Sequence, residues 1–131
     1  AIAVSIALFG AISTSGAQAG FRFFHSPSGN IGCAIGGGQA RCDIKQHSWS
    51  PPPKPSNCPL DWGYGLIVSR SGSGHFFCGG DTVFGAGGVL PYGSSASQGN
   101  FLCRMRESGV ECLNRSSEHG FVLSRESTRR F

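Results

Sequence analysis

Three polar side chains could take part in acid–base chemistry, although no catalytic motif surrounds them. His119 stands just before an apolar segment, and an imidazole can exchange a proton near neutral pH. Asp61 and Asp81 lie close to glycines, where a carboxylate most often accepts hydrogen bonds from the backbone of a turn. No nucleophile or orienting carboxylate accompanies His119 in the sequence. Catalysis is therefore the less favoured interpretation, because a hydrolase would require the fold to bring these groups together.

Aromatic side chains offer a second kind of chemistry, the stacking of a ring on a ligand. Trp62, Tyr64 and Tyr92 are expected at strand ends or in loops, where a ring can contact a sugar or anchor a partner. The favoured alternative is that they complete a small hydrophobic core. No metal or cofactor motif is present. The candidate binding residues are therefore Trp62, Tyr64, Tyr92, Asp61, Asp81 and His119.

The elements that must hold these residues are indicated by a motif that occurs twice. Each copy is Gly-Asn-x-x-Cys followed by eight residues and a second Cys, at 29–42 and 99–112. A matching apolar segment follows each copy, Gly65–Arg70 after the first and Gly120–Arg125 after the second. We therefore predict an internal repeat, 29–70 and 99–125, in which each unit is a disulfide-closed hairpin plus a third strand.

The six cysteines indicate three disulfides and hence an oxidising compartment. No two of them have the Cys-x-x-Cys spacing of a zinc or redox site. The first hairpin is symmetric about Gly37-Gly38 and the second about Glu107-Ser108, where Gly109 would close a four-residue loop. In both, the two cysteines then stand opposite each other at the close approach that a disulfide needs. The predicted pairs are Cys33–Cys42, Cys103–Cys112 and, for the remaining two, Cys58–Cys78.

Residues 1–19 are predicted to be a signal peptide whose basic beginning is missing from this sequence. Ile2–Ile12 is a short apolar run, and Ala17–Ala19 has the small-x-small pattern of a cleavage site. The run is shorter than the roughly 20 apolar residues that a membrane span needs. We expect residues 20–131 to be one exported domain without a membrane span, secreted or associated with the cell envelope.

The charge of the chain argues against one class of partner. The net charge is +4, and the arginines are dispersed, with only a loose group at the C-terminus. Nucleic-acid-binding proteins usually carry a denser basic stripe, so no nucleic-acid partner is predicted. A weak attraction to anionic polymers of the cell envelope is the most that this charge indicates.

Short apolar segments separated by glycine-rich turns predict an all-β fold, either a sandwich or a barrel. Besides the two repeat units, we expect strands near 21–24 and 75–78 and weak strands at 82–84 and 89–90, with the strand after the first hairpin beginning near Tyr64. The stretch 49–55 contains four prolines, so it is expected to be an extended loop that donates no ladder hydrogen bonds. We expect 91–99 to be a loop as well.

Six ordered segments of the chain resemble a known family: Ser26–Cys33, Leu60–Leu66, Cys78–Thr82, Leu90–Gly93, Gly109–Cys112 and His119–Arg125. The pattern is similar to that of small exported actinobacterial proteins grouped as domain of unknown function 6636. This resemblance implies a secreted or envelope-associated protein with paired cysteines, and it implies no activity and no catalytic residue. Glu118 and Thr128 stand where the family pattern would have a glycine and an aromatic residue.

The predicted function is binding, at the cell envelope or outside the cell, to an envelope polymer or a protein. An enzyme is the less favoured alternative, in the form of a small secreted hydrolase built on Asp61, Asp81 and His119. A third alternative is an inhibitor or toxin-like disulfide scaffold, which would require protruding, rigid loops such as 46–57 or 92–100.

Overall fold

The computed structural model describes residues 20–131, so the predicted leader at 1–19 lies outside the described residues. The described chain forms eleven strands and no helix, which confirms the predicted all-β class. This part of the chain accordingly contains no helix that could span a membrane. The strands are β1 Arg22–His25, β2 Ile31–Gly36, β3 Gln39–Ile44, β4 Asp61–Ser69, β5 His75–Gly79, β6 Gly88–Val89, β7 Ser95–Gln98, β8 Phe101–Arg106, β9 Gly109–Asn114, β10 Gly120–Leu123 and β11 Thr128–Arg130.

These strands form two sheets that pack face to face, so the fold is a sandwich. The six-stranded sheet has the order β5-β4-β3-β2-β1-β6, and the five-stranded sheet has the order β11-β10-β9-β8-β7. All described pairs are antiparallel except β1 with β6. Contacts of β4 with β10 and of β3 with β9 join the two inner faces.

Both sheets contain a four-stranded meander with the same register. One is β1–β4 and the other is β7–β10. A row of directly opposed residues crosses each meander: Phe24, Cys33, Cys42 and Leu66 in the first, and Ala96, Cys103, Cys112 and Phe121 in the second. This register assigns to each position of one meander a corresponding position in the other. That the two descend from one copied segment stays a prediction.

The chain contains three disulfides, Cys33–Cys42, Cys58–Cys78 and Cys103–Cys112. Hairpin symmetry predicts the first and the third, and Cys58–Cys78 is the pair that remains. The two hairpin disulfides are fully buried at the centre of the core. They stack on each other, with Cys42 Sγ 3.5 Å from Cys112 Sγ. The remaining disulfide ties the proline-rich loop to β5.

The hairpin turns explain the register. Gly37 and Gly38 connect β2 to β3 with φ of +62° and +80°, as a two-residue turn with the twist of its strands requires. The second turn also has two residues, because Gly109 pairs with Arg106 in the ladder; the expected four-residue loop was wrong. Gly109 has φ +141°, and a side chain there would collide with the carbonyl of Leu123.

The strand boundaries differ from the sequence prediction where the pattern is weak. β4 begins at Asp61 rather than near Tyr64, and residues 82–84 form no strand. β7 lies inside the expected loop 91–99, and β11 was not predicted. In β7 only Ala96 is buried, so pairing with β8, rather than a hydrophobic alternation, makes it a strand.

Candidate functional site

Tyr64 and Asp81, two of the predicted binding residues, meet on the outer face of the six-stranded sheet around Arg41. The Nε and Nη2 atoms of Arg41 donate to the two carboxylate oxygens of Asp43, each at 3.0 Å. Its Nη1 donates to Asp81 Oδ1 at 3.2 Å, and Nη2 also donates to the Asp81 carbonyl at 2.8 Å. The Tyr64 hydroxyl donates to the same carbonyl. The Val83 amide donates to Asp43 Oδ2 at 3.0 Å.

The electrostatics of this cluster indicate a structural role. Asp43 is fully buried, and this burial raises the pKa of its carboxyl although the hydrogen bonds from Arg41 and Val83 act in the opposite direction. Burial also lowers the pKa of Arg41, but its bonds to Asp43 and Asp81 outweigh that effect and raise it. Since all three guanidinium nitrogens already donate to protein oxygens, the cluster fastens the loop 80–87 to the sheet.

The other predicted site residues lie apart from this cluster. Asp61 is exposed at the start of β4. Trp62 packs against the core, and its Nε1 donates to the Pro52 carbonyl at 2.8 Å, which docks the proline-rich loop. Tyr92 is exposed before β7, and His119 lies in the loop between β9 and β10. None of these four side chains makes a site with another within the described residues.

The structure does not bring Asp61, Asp81 and His119 together. Asp61 pairs with the last residue of β5, whereas Gly120, which follows His119, lies against Gly74 beyond the first residue of β5. The intervening strand spans roughly 16 Å. Asp81 lies on the outer face of the six-stranded sheet, while His119 belongs to the sheet packed on the inner face. A proton could not pass directly between groups placed in this way.

A cleft of about 490 Å³ opens at one end of the sandwich, between the two sheets. We call it the open cleft. The β2–β3 turn and the end of β4 form one side, and the β7–β8 turn and the end of β9 form the other. Its lining residues are Gly20, Gly36, Gly37, Gly38, Arg70, Gln98, Gly99, Asn100, Phe101, Asn114 and Ser116.

Arg70 lines the open cleft, and two other arginines bond to backbone carbonyls beside it. Arg70 is exposed on its wall. Arg22 reaches across from β1 to the Ser97 carbonyl at 3.3 Å, and Arg115 donates to the Gly99 carbonyl at 2.7 Å. No carboxylate lines the open cleft, and none of the three arginines forms a salt bridge within residues 20–131. The charged side chains at the open cleft are therefore positive.

Asn114 forms the rigid base of the open cleft. Its side chain is nearly buried, with 2% exposed. Nδ2 donates to the carbonyls of Ser69 and Arg70 at 3.0 and 3.2 Å, and Oδ1 accepts from the Ser116 amide at 2.9 Å. Because Asn114 belongs to β9 and Arg70 follows β4, these bonds join the two sheets and hold the backbone of Arg70 in place.

Two side-chain amides in the open cleft are available to a ligand. Asn100 is exposed and Gln98 is half-buried. Neither side chain makes a hydrogen bond with another residue of the described chain 20–131. An amide offers two donors and an acceptor oxygen, so these groups can bind hydroxyl or anionic oxygens beside the arginines.

A second cleft, of about 220 Å³, lies at the opposite end of the sandwich. We call it the opposite cleft. It occupies the corresponding positions of the other meander: Arg125 corresponds to Arg70, and Asn30 corresponds to Asn100. Here Glu107 and Glu126 accompany the arginines of the lining. The Asn30 side chain exchanges two hydrogen bonds with the backbone of Gln46, at 2.9 and 3.1 Å, so it is occupied.

Sequence reasoning missed the residues of the open cleft, because its arginines are far apart in the chain and were interpreted as dispersed surface charges. One signal could have found part of it. The repeated motif places Asn100 and Arg70 at equivalent positions to Asn30 and Arg125, and the first hairpin turns at Gly37-Gly38 where the second turns at Glu107-Ser108. A comparison of the two copies would therefore have pointed to the turn and its neighbours.

The sulfur atoms of the core are the one cluster of metal-ligating atoms found among residues 20–131. The Sγ atoms of Cys42, Cys103 and Cys112 lie within 4.8 Å of one another. Each belongs to a disulfide, whereas metal coordination requires a thiolate. In the oxidised protein this cluster therefore contributes packing and no metal site.

Comparisons with known proteins agree with the resemblance seen in the sequence. No curated protein and no solved structure matches the chain. A family described as "Family of unknown function (DUF6636)" matches residues 3–131, nearly the whole chain. The protein belongs to this family of unknown function.

Proposed function

We propose that the protein is an extracytoplasmic binding domain whose open cleft takes an anionic ligand of the cell envelope. The observation that carries the proposal is that Arg70 lies on the wall of a cleft whose lining, within residues 20–131, contains no carboxylate, while Arg22 and Arg115 bond to the Ser97 and Gly99 carbonyls beside it. Two unoccupied amides, those of Gln98 and Asn100, stand beside them.

The chemistry of these groups suits carboxylate or phosphate oxygens. A guanidinium presents several N–H donors in a planar fork that fits such an anion, and charge-assisted hydrogen bonds are stronger than neutral ones. The Asn114 bonds hold the Arg70 backbone in place before a ligand binds. Such preorganisation lowers the entropic cost of binding.

The location outside the cytoplasm rests on two supports. Three disulfides fit an extracellular protein, and the leader predicted at 1–19 would export the chain. In that compartment, anionic polymers of the envelope are abundant ligands for a weakly basic domain. A hydrolase is not favoured, because Asp61, Asp81 and His119 lie apart.

Charge reversal at corresponding arginines tests the proposal. Arg70→Glu changes the open cleft, and Arg125→Glu makes the same charge change in the opposite cleft. Binding to polygalacturonate and to polyphosphate is measured by calorimetry at low salt, with neutral dextran as the uncharged control. We expect Arg70→Glu to weaken binding of the anionic polymers roughly tenfold or more, and Arg125→Glu to change it little.

Two results would contradict the proposal. The first is equal weakening by Arg70→Glu and Arg125→Glu, since the attraction would then come from net charge alone. The second is the absence of binding of both anionic polymers to the unaltered domain at low salt, where electrostatic attraction is least screened.

A further inference from the structure

We infer that the ligand of the open cleft is an acidic polysaccharide, and that Phe21 and Phe23 form a platform for its sugar rings. This inference rests on the proposed function, because it assigns the class of anion that the arginines bind. It uses a surface that the site described above leaves out, the outward face of β1.

Two exposed aromatic rings stand side by side at the beginning of β1, Phe21 directly before the strand and Phe23 within it. Phe21 is 58% exposed and Phe23 is 40% exposed. Their ring centroids are 5.9 Å apart, with the planes inclined by 27°. Phe24 points into the core from the same strand, so strand alternation directs Phe21 and Phe23 outward. Phenylalanine is usually buried, and an exposed pair is the kind of patch that marks a binding surface.

The platform adjoins the open cleft through two glycines. Gly36 and Gly37 line the cleft, and the Phe21 ring lies against both. A Cβ atom at Gly36 would lie 2.6 Å from this ring, and one at Gly37 would lie 3.2 Å from it. Without side chains there, the ring packs directly on the turn. A ligand that extends out of the cleft over this turn would therefore meet Phe21 and then Phe23.

An acidic sugar chain has groups that suit the aromatic rings, the amides and the arginine at the same time. The C–H face of a sugar ring packs on the face of an aromatic ring, which is large and apolar. Its hydroxyl groups can exchange hydrogen bonds with the free amides of Gln98 and Asn100, and its carboxylate can bind Arg70. A polyphosphate chain offers anionic oxygens without an apolar face, so it would bind the arginines and gain nothing from the phenylalanines.

The test removes the platform and compares two anions on the full chain. The Phe21→Ala/Phe23→Ala double variant is titrated with oligogalacturonate and with polyphosphate at equal ionic strength. We expect oligogalacturonate binding to weaken roughly tenfold or more and polyphosphate binding to change less than about twofold. Phe21→Tyr, which keeps an aromatic ring, should retain binding, and Tyr92→Ala is the matched control because Tyr92 is 42% exposed at the opposite cleft.

The outcomes separate this inference from the proposed function. Unchanged oligogalacturonate binding in the double variant, with Arg70→Glu still weakening it, overturns the platform and leaves the anionic cleft standing. Loss of both ligands in a folded double variant, checked by its unfolding transition, also overturns it. If sedimentation shows a dimer that the double variant abolishes while oligogalacturonate binding persists, a second copy covers the rings and the inference is wrong. If neither anion binds the unaltered protein, the proposed function itself fails.

Discussion

The two ends of the sandwich are built from corresponding residues, yet they present different chemistry. Arg70 and Arg125 occupy the same position after the fourth strand of their meanders. The turn that lines the open cleft consists of glycines, Gly36–Gly38, and the lining contains no carboxylate among the described residues. At the opposite cleft, Glu107 and Glu126 offset the arginines, and the volume is less than half. The strand framework is therefore shared, and the loop residues decide where a ligand can bind.

The outer faces of the two sheets also differ. Arg41 and Asp43 fasten the loop 80–87 over the six-stranded sheet. The corresponding positions in the five-stranded sheet are Glu111 and Leu113, and no comparable loop covers them among the described residues. A buried ion pair is thus present in one sheet only, and this difference arises from residues of strand β3 together with the loop that they hold.

The largest expected effect tests whether the two hairpin disulfides support the core equally. Removing either stacked disulfide, by Cys33→Ala/Cys42→Ala or Cys103→Ala/Cys112→Ala, should lower the free energy of unfolding by about 3–5 kcal/mol. The two losses should be similar, because both disulfides have a sequence separation of 9 and are fully buried against each other. Denaturant unfolding measures them. A loss below about 1 kcal/mol for either pair would show that the two hairpins are not equivalent supports of the core.

The second largest effect compares the asparagines at the two ends of the sandwich. Asn114→Ala leaves two part-buried carbonyls and the Ser116 amide without this partner, so we expect a loss of about 2–3 kcal/mol. Asn30→Ala removes two exposed hydrogen bonds to Gln46 and should cost only about 0.5–1 kcal/mol. Thermal unfolding of both variants provides the comparison. Equal losses would mean that Asn114 is no special support of the open cleft.

The pH dependence of stability tests the ion pair on the outer face. Since burial raises the pKa of Asp43 in the folded state, the folded protein holds this proton more tightly than the unfolded chain. The contribution of Asp43 is then fully present below about pH 4, the ordinary range of an aspartate, and is lost as pH rises through the raised pKa. The unfolding free energy of the unaltered protein minus that of Asp43→Asn should therefore fall over this window and become constant above it. A difference that grows with pH would contradict the assignment.

The smallest effect concerns a residue with a left-handed backbone in the loop between β9 and β10. Glu118 has φ +65°, the one described residue other than glycine with a positive φ. A left-handed conformation costs an L-residue roughly 1–2 kcal/mol, and part of this is offset by the greater unfolded-state entropy of glycine. Glu118→Gly should therefore raise the free energy of unfolding by up to about 1 kcal/mol. Glu126→Gly, with the same change of charge, is the control and should give no gain.

Local patterns explain what the sequence could predict. The spacing of cysteines around Gly37-Gly38 and Glu107-Ser108 determines both hairpin registers, because the turn and the opposed pair are close in the chain. Arg41 and Asp43 were missed although residues two apart on a strand share a face, so their ion pair was within reach of the sequence. The strands β7 and β11 could not be predicted from the sequence, because their side chains are mostly polar or exposed.

The open cleft could not be predicted in the same way. Arg22, Arg70 and Arg115 come from different strands or loops of two sheets, and only the packing of one sheet on the other brings them together. Tyr64 and Asp81 were chosen as binding residues by type alone, and their partners Arg41 and Asp43 make them structural. The residue type indicated what these side chains could do, and only their contacts in the folded chain showed which role they have.

Mapping the binding surface by NMR tests the central claim most directly. Backbone amide shifts of the full domain are followed while oligogalacturonate is added. Binding at the open cleft predicts the largest changes at Gly36–Gly38, Arg70 and Gln98–Phe101, with little change at Glu107 and Arg125. Changes of equal size at both ends, or changes concentrated at the opposite cleft, would contradict the account.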